Sequence, residues 1–319
     1  MTARTTAVEP GSVEARRSTG IWRDAFGRLI KNRLAIVGGL FVIFLIFLGV
    51  FGPLFAPWPY DRQDTRAIVE NLIATGHDAL VPFQSPAHIL GTDELGHDIL
   101  SRLMDGAQIS LSVALVVQIV VLVIGLPIGA LAGWFGGRLD TYLMRFTDVM
   151  YAFPDLLLII LMSVAFRDTA FGRLYSGLFL VFVAIGLTSW VTVARLVRGQ
   201  LLSLKEMEFV EAAKALGVRD RSIVMRHLMP NAIGPIIVAI TLGVPGAILA
   251  EATLAYLGVG VQAPRASWGS LIAAGQDSIR FSPHLVFLPG IMIALALISF
   301  TFLGDGLRDA LDPKLKGKQ

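Results

Sequence analysis

Six long apolar runs set the main constraint on what this chain can fold into. A helix needs about 20 mainly apolar residues to cross the hydrocarbon core of a bilayer. The sequence therefore predicts an all-α membrane protein with six transmembrane helices. The predicted spans are Leu34–Leu54, Ser110–Phe135, Val149–Phe166, Leu174–Ala194, Met229–Ala250 and Leu285–Gly304.

Composition supports this prediction. Of the 319 residues, 55% are hydrophobic and 16% are charged, whereas a soluble domain has about 25% charged residues. The net charge of +3 gives no reason to expect nucleic-acid binding, and the absence of cysteine excludes disulfides and thiolate metal sites. The first run is preceded by 33 residues and is not followed by a small-x-small cleavage site, so it is predicted to be a retained anchor rather than a signal peptide.

The distribution of lysine and arginine predicts the orientation, because cytoplasmic segments carry the excess of these residues. Residues 1–33 contain seven of them, the segment 195–228 contains seven, and the tail 305–319 contains four. Placing both termini in the cytoplasm puts most of the 27 basic residues inside. The sequence therefore predicts that both termini are cytoplasmic.

Two connecting segments are too long to be simple turns. Residues 55–109 follow the first span (34–54) and are acidic and rich in turn residues, so they are predicted to form a small irregular extracytoplasmic lobe with limited helix. Residues 110–304 are predicted to form a core of five spans, with the basic segment 195–228 as a cytoplasmic loop within it.

That loop contains a pattern typical of a short helix with a glycine end. Residues 206–217 are dense in good helix formers. Phe209, Ala213 and Leu216 are spaced to share one helix face. Gly217 stands where a helix would end in a left-handed residue.

A second short helix is predicted to follow. Asp220 can cap a helix over Arg221–Met229, which would end where Pro230 enters the membrane. Such a helix–turn–helix could dock into a groove of a partner protein. The helix pattern alone also allows the alternative that the loop lies on the lipid headgroups as a basic amphipathic segment.

The loop carries a recognisable signature. Glu211-Ala212-Ala213, then Gly217 after three residues, then Pro230 after twelve more, resembles the EAA signature of ATP-binding-cassette (ABC) importer permeases. His227 stands three residues before the proline, which is similar to the branch of that family that carries dipeptides, oligopeptides or nickel. The resemblance is to the C-type permease of that branch and also includes residues 90–103, 266–269 and 303–313.

The resemblance implies a type I ABC importer permease fold in the bacterial inner (plasma) membrane. It also implies a complex of two different permeases, two ATPases and an extracytoplasmic substrate-binding protein. The sequence has no Gly-x-x-x-x-Gly-Lys-Ser/Thr loop, so ATP hydrolysis is expected in partner chains, and neither catalysis nor a cofactor is expected in this one. The residues implied to couple to the ATPase are Glu211, Ala212, Ala213, Lys214, Leu216, Gly217 and Pro230.

Within that branch, peptides are the expected cargo, and nickel or another small solute is the alternative. The prolines and glycines of the fifth span, at 234–235 and 245–246, mark it as the expected bending element.

Ionisable side chains in or beside a membrane span are costly and are often functional. Asp155 and Glu251 are predicted to contact the translocation pathway or the partner permease. Asp148 is expected to lie at a span end, close to Arg145.

Other chemistries have weaker support. His77, His88, His97 and His284 could bind a metal outside the membrane, but they lack tight ligand spacing. The acids within 93–98 are explained more simply as capping groups of a turn-rich loop than as acid–base catalysts. An ion-coupled secondary transporter or a membrane-embedded hydrolase would leave the cytoplasmic loop unexplained.

Overall fold

The structure, a computed structural model, describes residues 21–312 and forms a helical bundle without β-strands in that range. The predicted terminal segments 1–33 and 305–319 are therefore covered only in part, because residues 1–20 and 313–319 lie outside the described residues. In chain order the helices are α1 (Ile21–Leu29), α2 (Arg33–Phe55), α3 (Thr65–Thr75), α4 (Ile99–Phe135), α5 (Gly137–Ala152), α6 (Asp155–Phe166), α7 (Leu178–Lys205), α8 (Glu208–Ala215), α9 (Asp220–Ile223), α10 (Met229–Tyr256), α11 (Trp268–Gly275) and α12 (His284–Leu311).

Five of the predicted spans correspond to helices long and apolar enough to cross a membrane. The helices extend beyond the predicted limits, because hydropathy marks the part of a helix that suits lipid and not its full length. The second span begins at Ile99 rather than Ser110, since the Asp98 side chain accepts a hydrogen bond from the Ser101 backbone N–H at 2.8 Å and starts the helix there.

The third predicted span is broken. In place of one helix over Val149–Phe166, α5 and α6 meet at an angle of 81°. Phe153 and Pro154 between them have extended backbones, because proline lacks an N–H and disfavours a helical conformation in the residue before it.

The fifth span is longer than predicted, because the second predicted loop helix is continuous with it. A helical run extends from Asp220 to Tyr256 and contains a π-helical turn at Val224–Leu228, immediately before α10. Pro230 does not end the helix: it lies in the first turn of α10, directly after the π turn, whose last bond runs from the Met229 N–H to the Val224 carbonyl. Asp220 is the first helical residue and not the cap; the cap position is Arg219, which makes no side-chain capping bond.

The tightest helix pair is α4 with α7, and three glycines spaced by four residues allow it. A Cβ atom at Gly125, Gly129 or Gly133 would lie 2.8, 2.3 or 2.9 Å from a backbone oxygen of α7. Only hydrogen fits at these positions, so the two backbones are in direct contact, as in the small-residue interfaces of membrane helices.

Residues 56–98 form a lobe at the end of the bundle opposite α8, with α3 as its one helix. His88 lies at its centre, 3.0 Å from an Asp98 oxygen and 3.4 Å from an Asp64 oxygen, and stacks on Trp58. A hydrogen bond from the Ala67 backbone lowers the pKa of Asp64. Because α4 begins at Ile99, this lobe ends about ten residues before the predicted limit of 109.

Candidate functional site

The segment between α7 and α9 presents a short helix at one end of the bundle. This helix, α8, covers Glu208–Ala215, inside the predicted limits of 206–217, and begins after an extended Met207. Glu208 and Glu211 lie in its first turn, where the helix dipole favours negative charge.

The glycine end of α8 has the predicted geometry. Gly217 has a φ of 73°. Its N–H donates to the Lys214 carbonyl at 2.9 Å, and the Val218 N–H donates to the Ala213 carbonyl at 3.1 Å. This pair of bonds is the Schellman motif, which satisfies the last carbonyls of a helix and requires a left-handed residue.

The faces of α8 differ from the prediction that Phe209, Ala213 and Leu216 form one apolar stripe. Ala213 is 9% exposed and Val210 is fully buried, whereas Phe209 is 40% and Leu216 is 83% exposed. The buried face of α8 is therefore centred between Val210 and Ala213. The outward surface therefore consists of Glu208, Phe209, Glu211, Ala212, Lys214, Ala215, Leu216 and Gly217.

Trp134, in the last turn of α4, contacts both the end of α7 and the last turn of α8. The Lys205 ammonium donates to the Trp134 carbonyl at 2.5 Å. The ammonium groups of Lys205 and Lys214 lie 5.5 and 5.3 Å from the centre of the Trp134 ring, within the range of cation–π attraction. Sequence reasoning missed this role of Trp134, because its partners are distant in sequence.

Two ion pairs connect α7 to α5 at the same end. Arg198 forms a two-pronged pair with Asp140, with N–O distances of 2.5 and 2.7 Å. Asp148 pairs with Arg195 of α7 at 2.7 Å, a partner that the sequence did not indicate. The helix that leads into α8 is therefore connected on two sides, to α4 by close packing and to α5 by charge.

The remaining predicted site residues lie elsewhere. Pro230 is exposed near the start of α10, in the helical run that leads away from the loop. Asp155 is exposed at the start of α6, next to the break in the third span. Glu251 is 1% exposed and accepts a hydrogen bond from the Ser110 hydroxyl at 3.1 Å within its own chain.

Comparison with known proteins places this arrangement in a family. Residues 125–317 match the model of the binding-protein-dependent transport system inner membrane component, and residues 20–74 match the N-terminal transmembrane domain of oligopeptide transport permease C. Among solved structures, an inward-facing conformation of the MetNI methionine ABC transporter is similar, with a TM-score of 0.54 and 20% identity over 66% of this chain and 96% of that one. This likeness shows the fold.

Curated relatives extend the similarity to nearly the whole chain. The chain is 38% identical over 312 residues to the oligopeptide transport system permease protein OppC of Bacillus subtilis, covering 97% of this chain and 96% of that protein. It is 42% identical to OppC of Salmonella typhimurium, with 92% and 91% covered. It is 41% identical to the dipeptide transport system permease protein DppC of Bacillus subtilis, with 94% and 88% covered. The chain therefore belongs to the binding-protein-dependent transport system inner membrane components, the multi-pass permease subunits of ABC importers in the bacterial inner membrane.

Proposed function

We propose that this permease subunit forms half of the path by which an ABC importer moves dipeptides or oligopeptides into the cell, and that it receives its energy through α8 from a separate ATPase chain. The second half of the path would come from a different permease subunit. A second ATPase and an extracytoplasmic substrate-binding protein would complete the complex. The observation that carries the proposal is a small exposed helix surface held firmly on the transmembrane core.

The outward surface of α8 suits a docking role. Its small residues, Ala212 and Ala215, allow close approach of a partner, and Phe209 and Leu216 provide apolar contact. Acidic side chains at the start and Lys214 near the end add polar contacts around it. In this proposal α8 and both chain termini are cytoplasmic, as the distribution of basic residues predicts.

The attachments of α8 explain how its displacement would reach the path. Lys214 connects α8 to Trp134 of α4, and α7 packs against α4 along the glycines. When the ATPases close, α4 and α7 would move with α8 as one unit, because packed helices of this kind change between discrete arrangements and do not deform continuously. Nucleotide then biases a two-state equilibrium between inward-open and outward-open forms.

Peptides are favoured as the cargo because the relatives described above are named as oligopeptide and dipeptide permeases. Nickel or another small solute remains the alternative cargo. To test the proposal, the complex is purified through a tag on this chain and reconstituted in vesicles with its binding protein. We expect uptake of a labelled tripeptide that requires ATP. Uptake of nickel but not peptide, or peptide uptake driven by an ion gradient without the ATPases, would contradict it.

Docking through α8 gives a specific prediction for Leu216. Leu216→Asp removes apolar contact from the proposed interface but leaves folding intact, because the side chain is 83% exposed. We expect about tenfold less ATPase to copurify with the subunit, since loss of one well-placed apolar anchor costs about 1–2 kcal/mol. Pull-down followed by quantitative blotting measures this.

The matched control is Ile73→Asp on α3, at the opposite end of the bundle. Ile73 is 81% exposed, so the two substitutions place the same charge at equally accessible apolar positions. The control should retain normal amounts of ATPase. Equal ATPase recovery in both variants would show that Leu216 is not in the interface.

A further inference from the structure

A recess of about 640 Å³ opens at the end of the bundle that carries the lobe, between α4, the turn before α7 and the loop before α11. This volume is within the range of small-molecule sites, about 300–1,000 Å³. Its wall is mixed, with polar, charged and aromatic side chains that include Gln108, Ser112, Tyr175, Ser176, Phe182 and Arg265.

The polarity of the recess distinguishes it from the neighbouring surface of α4. Farther along the same helix, the exposed side chains include Leu115, Ile119 and Val123, which suit lipid or an apolar partner. Polar and ionisable groups at or near membrane depth normally face a water-filled cavity or other protein. Gln108 and Ser112 therefore mark a surface of α4 that is not built for lipid.

Arg265 is held in place and neutralised within this wall. Its NH2 and Nε atoms lie 2.9 and 3.2 Å from the two oxygens of Asp105, and NH2 also donates to the Gln108 side-chain oxygen at 2.7 Å. The Tyr60 ring lies against the guanidinium, 5.2 Å away. Asp105 is 4% and Arg265 is 28% exposed, so the buried carboxylate cancels the charge while part of the guanidinium remains accessible.

Several hydrogen-bond donors of the wall have no partner among residues 21–312. They are NH1 of Arg265, the side-chain NH2 of Gln108 and the hydroxyl of Ser112. These donors are not among the buried atoms of the described residues, so a bound molecule can reach them. Because the Arg265 charge is already cancelled, these groups suit neutral carbonyl oxygens better than anions.

The backbone at the mouth of the recess is also held in an uncommon conformation. Tyr175 and Ser176 have φ values of 49° and 57°, a region that side-chain-bearing residues rarely adopt without support from surrounding structure. The Ser176 carbonyl accepts a hydrogen bond from the Gln262 N–H at 2.9 Å. This bond joins the backbone of the turn to the loop before α11 at the edge of the recess.

We propose that a peptide entering the translocation path contacts this subunit in the recess, where Arg265, Gln108 and Ser112 donate hydrogen bonds to its main-chain carbonyl oxygens. The proposal rests on the proposed function. Every peptide carries main-chain carbonyl groups, so hydrogen bonds to them do not depend on the peptide sequence. The aromatic side chains of the wall can pack against apolar side chains of the peptide. Individually weak contacts also allow the peptide to leave, as conduction requires.

A single cysteine tests the proposal, because the chain contains none of its own. Ser112→Cys is introduced into the complete complex in vesicles with binding protein and ATP, and the rate of labelling by a water-soluble maleimide is measured. We expect the thiol to react, and saturating tripeptide to slow its reaction at least fivefold. Absence of labelling, or labelling that peptide does not slow, would overturn the proposal.

Ile73→Cys is the control, at a position on α3 that is 81% exposed and lies outside the recess. Its reaction should be unaffected by peptide. Tripeptide uptake by the unmodified complex is measured in the same vesicles. Peptide uptake without protection of the Ser112→Cys thiol overturns this inference alone, whereas absence of peptide uptake overturns the proposed function.

A second variant removes the donors without leaving a buried charge unpaired. Arg265→Met combined with Asp105→Asn replaces the ion pair by uncharged side chains; methionine has no hydrogen-bond donor, and the asparagine oxygen can still accept from the Ala266 N–H. We expect uptake to fall about five- to tenfold, and to the same extent for a tripeptide and its C-terminal amide, with normal recovery of the assembled complex. Unchanged uptake, or a loss confined to the free acid, would contradict donation to main-chain carbonyls.

Discussion

Gly217→Val is expected to reduce peptide uptake at least tenfold while the subunit still inserts and assembles its spans. A left-handed conformation costs an ordinary residue about 1–2 kcal/mol, and a β-branched residue is more strongly disfavoured. A Cβ atom at Gly217 would meet no other atom within 4 Å, so the penalty acts only on the turn. The Schellman hydrogen bonds that end α8 would break, and the ATPase would no longer have a fixed surface to bind.

The measurement is the ratio of peptide uptake to ATP hydrolysis in the reconstituted complex. We expect this ratio to fall, because hydrolysis can continue in ATPases that no longer move the permease. Gly217→Asn should retain much of the uptake, since asparagine tolerates the left-handed conformation better than valine.

Gly76 provides a matched control for backbone strain. It ends α3 with a φ of 79°, and a Cβ atom there would also meet no other atom within 4 Å. Gly76→Val introduces the same strain at the opposite end of the bundle, so it should leave the ratio of uptake to hydrolysis unchanged. If both valine variants behave alike, the effect at Gly217 is one of general stability and α8 is not the coupling element.

The presence of the membrane spans could be predicted from the sequence, and their ends could not. The hydrocarbon core of the bilayer requires each span to be apolar over about 20 residues, and runs of that length can be recognised in the sequence. Beyond the hydrocarbon, helix continuation depends on caps and tertiary contacts. Asp98 starts α4 eleven residues before the apolar run, and α12 continues to Leu311 through polar residues. Pro154 in the sequence is a signal for a break in the third span, but the angle between α5 and α6 depends on packing.

The structure of the loop that contains α8 could likewise be predicted only in part. The glycine end of α8 follows from local backbone chemistry, and the structure has it at Gly217. The direction in which α8 faces depends on the surface beneath it, which covers Val210 and Ala213. The helix pattern did not reveal that surface. The partners of Trp134 are remote in sequence. The glycines at 125, 129 and 133 were visible as a four-residue repeat, the one overlooked signal that could have predicted the close α4–α7 pair.

That pair leads to the second large effect, at Gly129. Gly129→Ala adds one methyl group, whose carbon would lie 2.3 Å from the Ala194 carbonyl oxygen and 2.8 Å from the Val197 Cβ atom. Neither contact can be relieved by rotating a flexible side chain, so α7 must move away from α4. We expect destabilisation of about 1–3 kcal/mol, seen as a lower melting temperature of the purified complex and a smaller yield.

Whether the substitution raises or lowers stability distinguishes an effect of helix packing from an effect of intrinsic helix preference. In an exposed helix interior, replacing glycine by alanine stabilises by about 0.5–1 kcal/mol. Gly199 on α7 provides that comparison, because it is exposed and a Cβ atom there would meet no other atom within 4 Å. Gly199→Ala should therefore raise the melting temperature or leave it unchanged, while Gly129→Ala lowers it. If Gly129→Ala were also neutral, α4 and α7 would not be in backbone contact, and the rigid unit proposed to carry motion from α8 to the path would lose its physical basis.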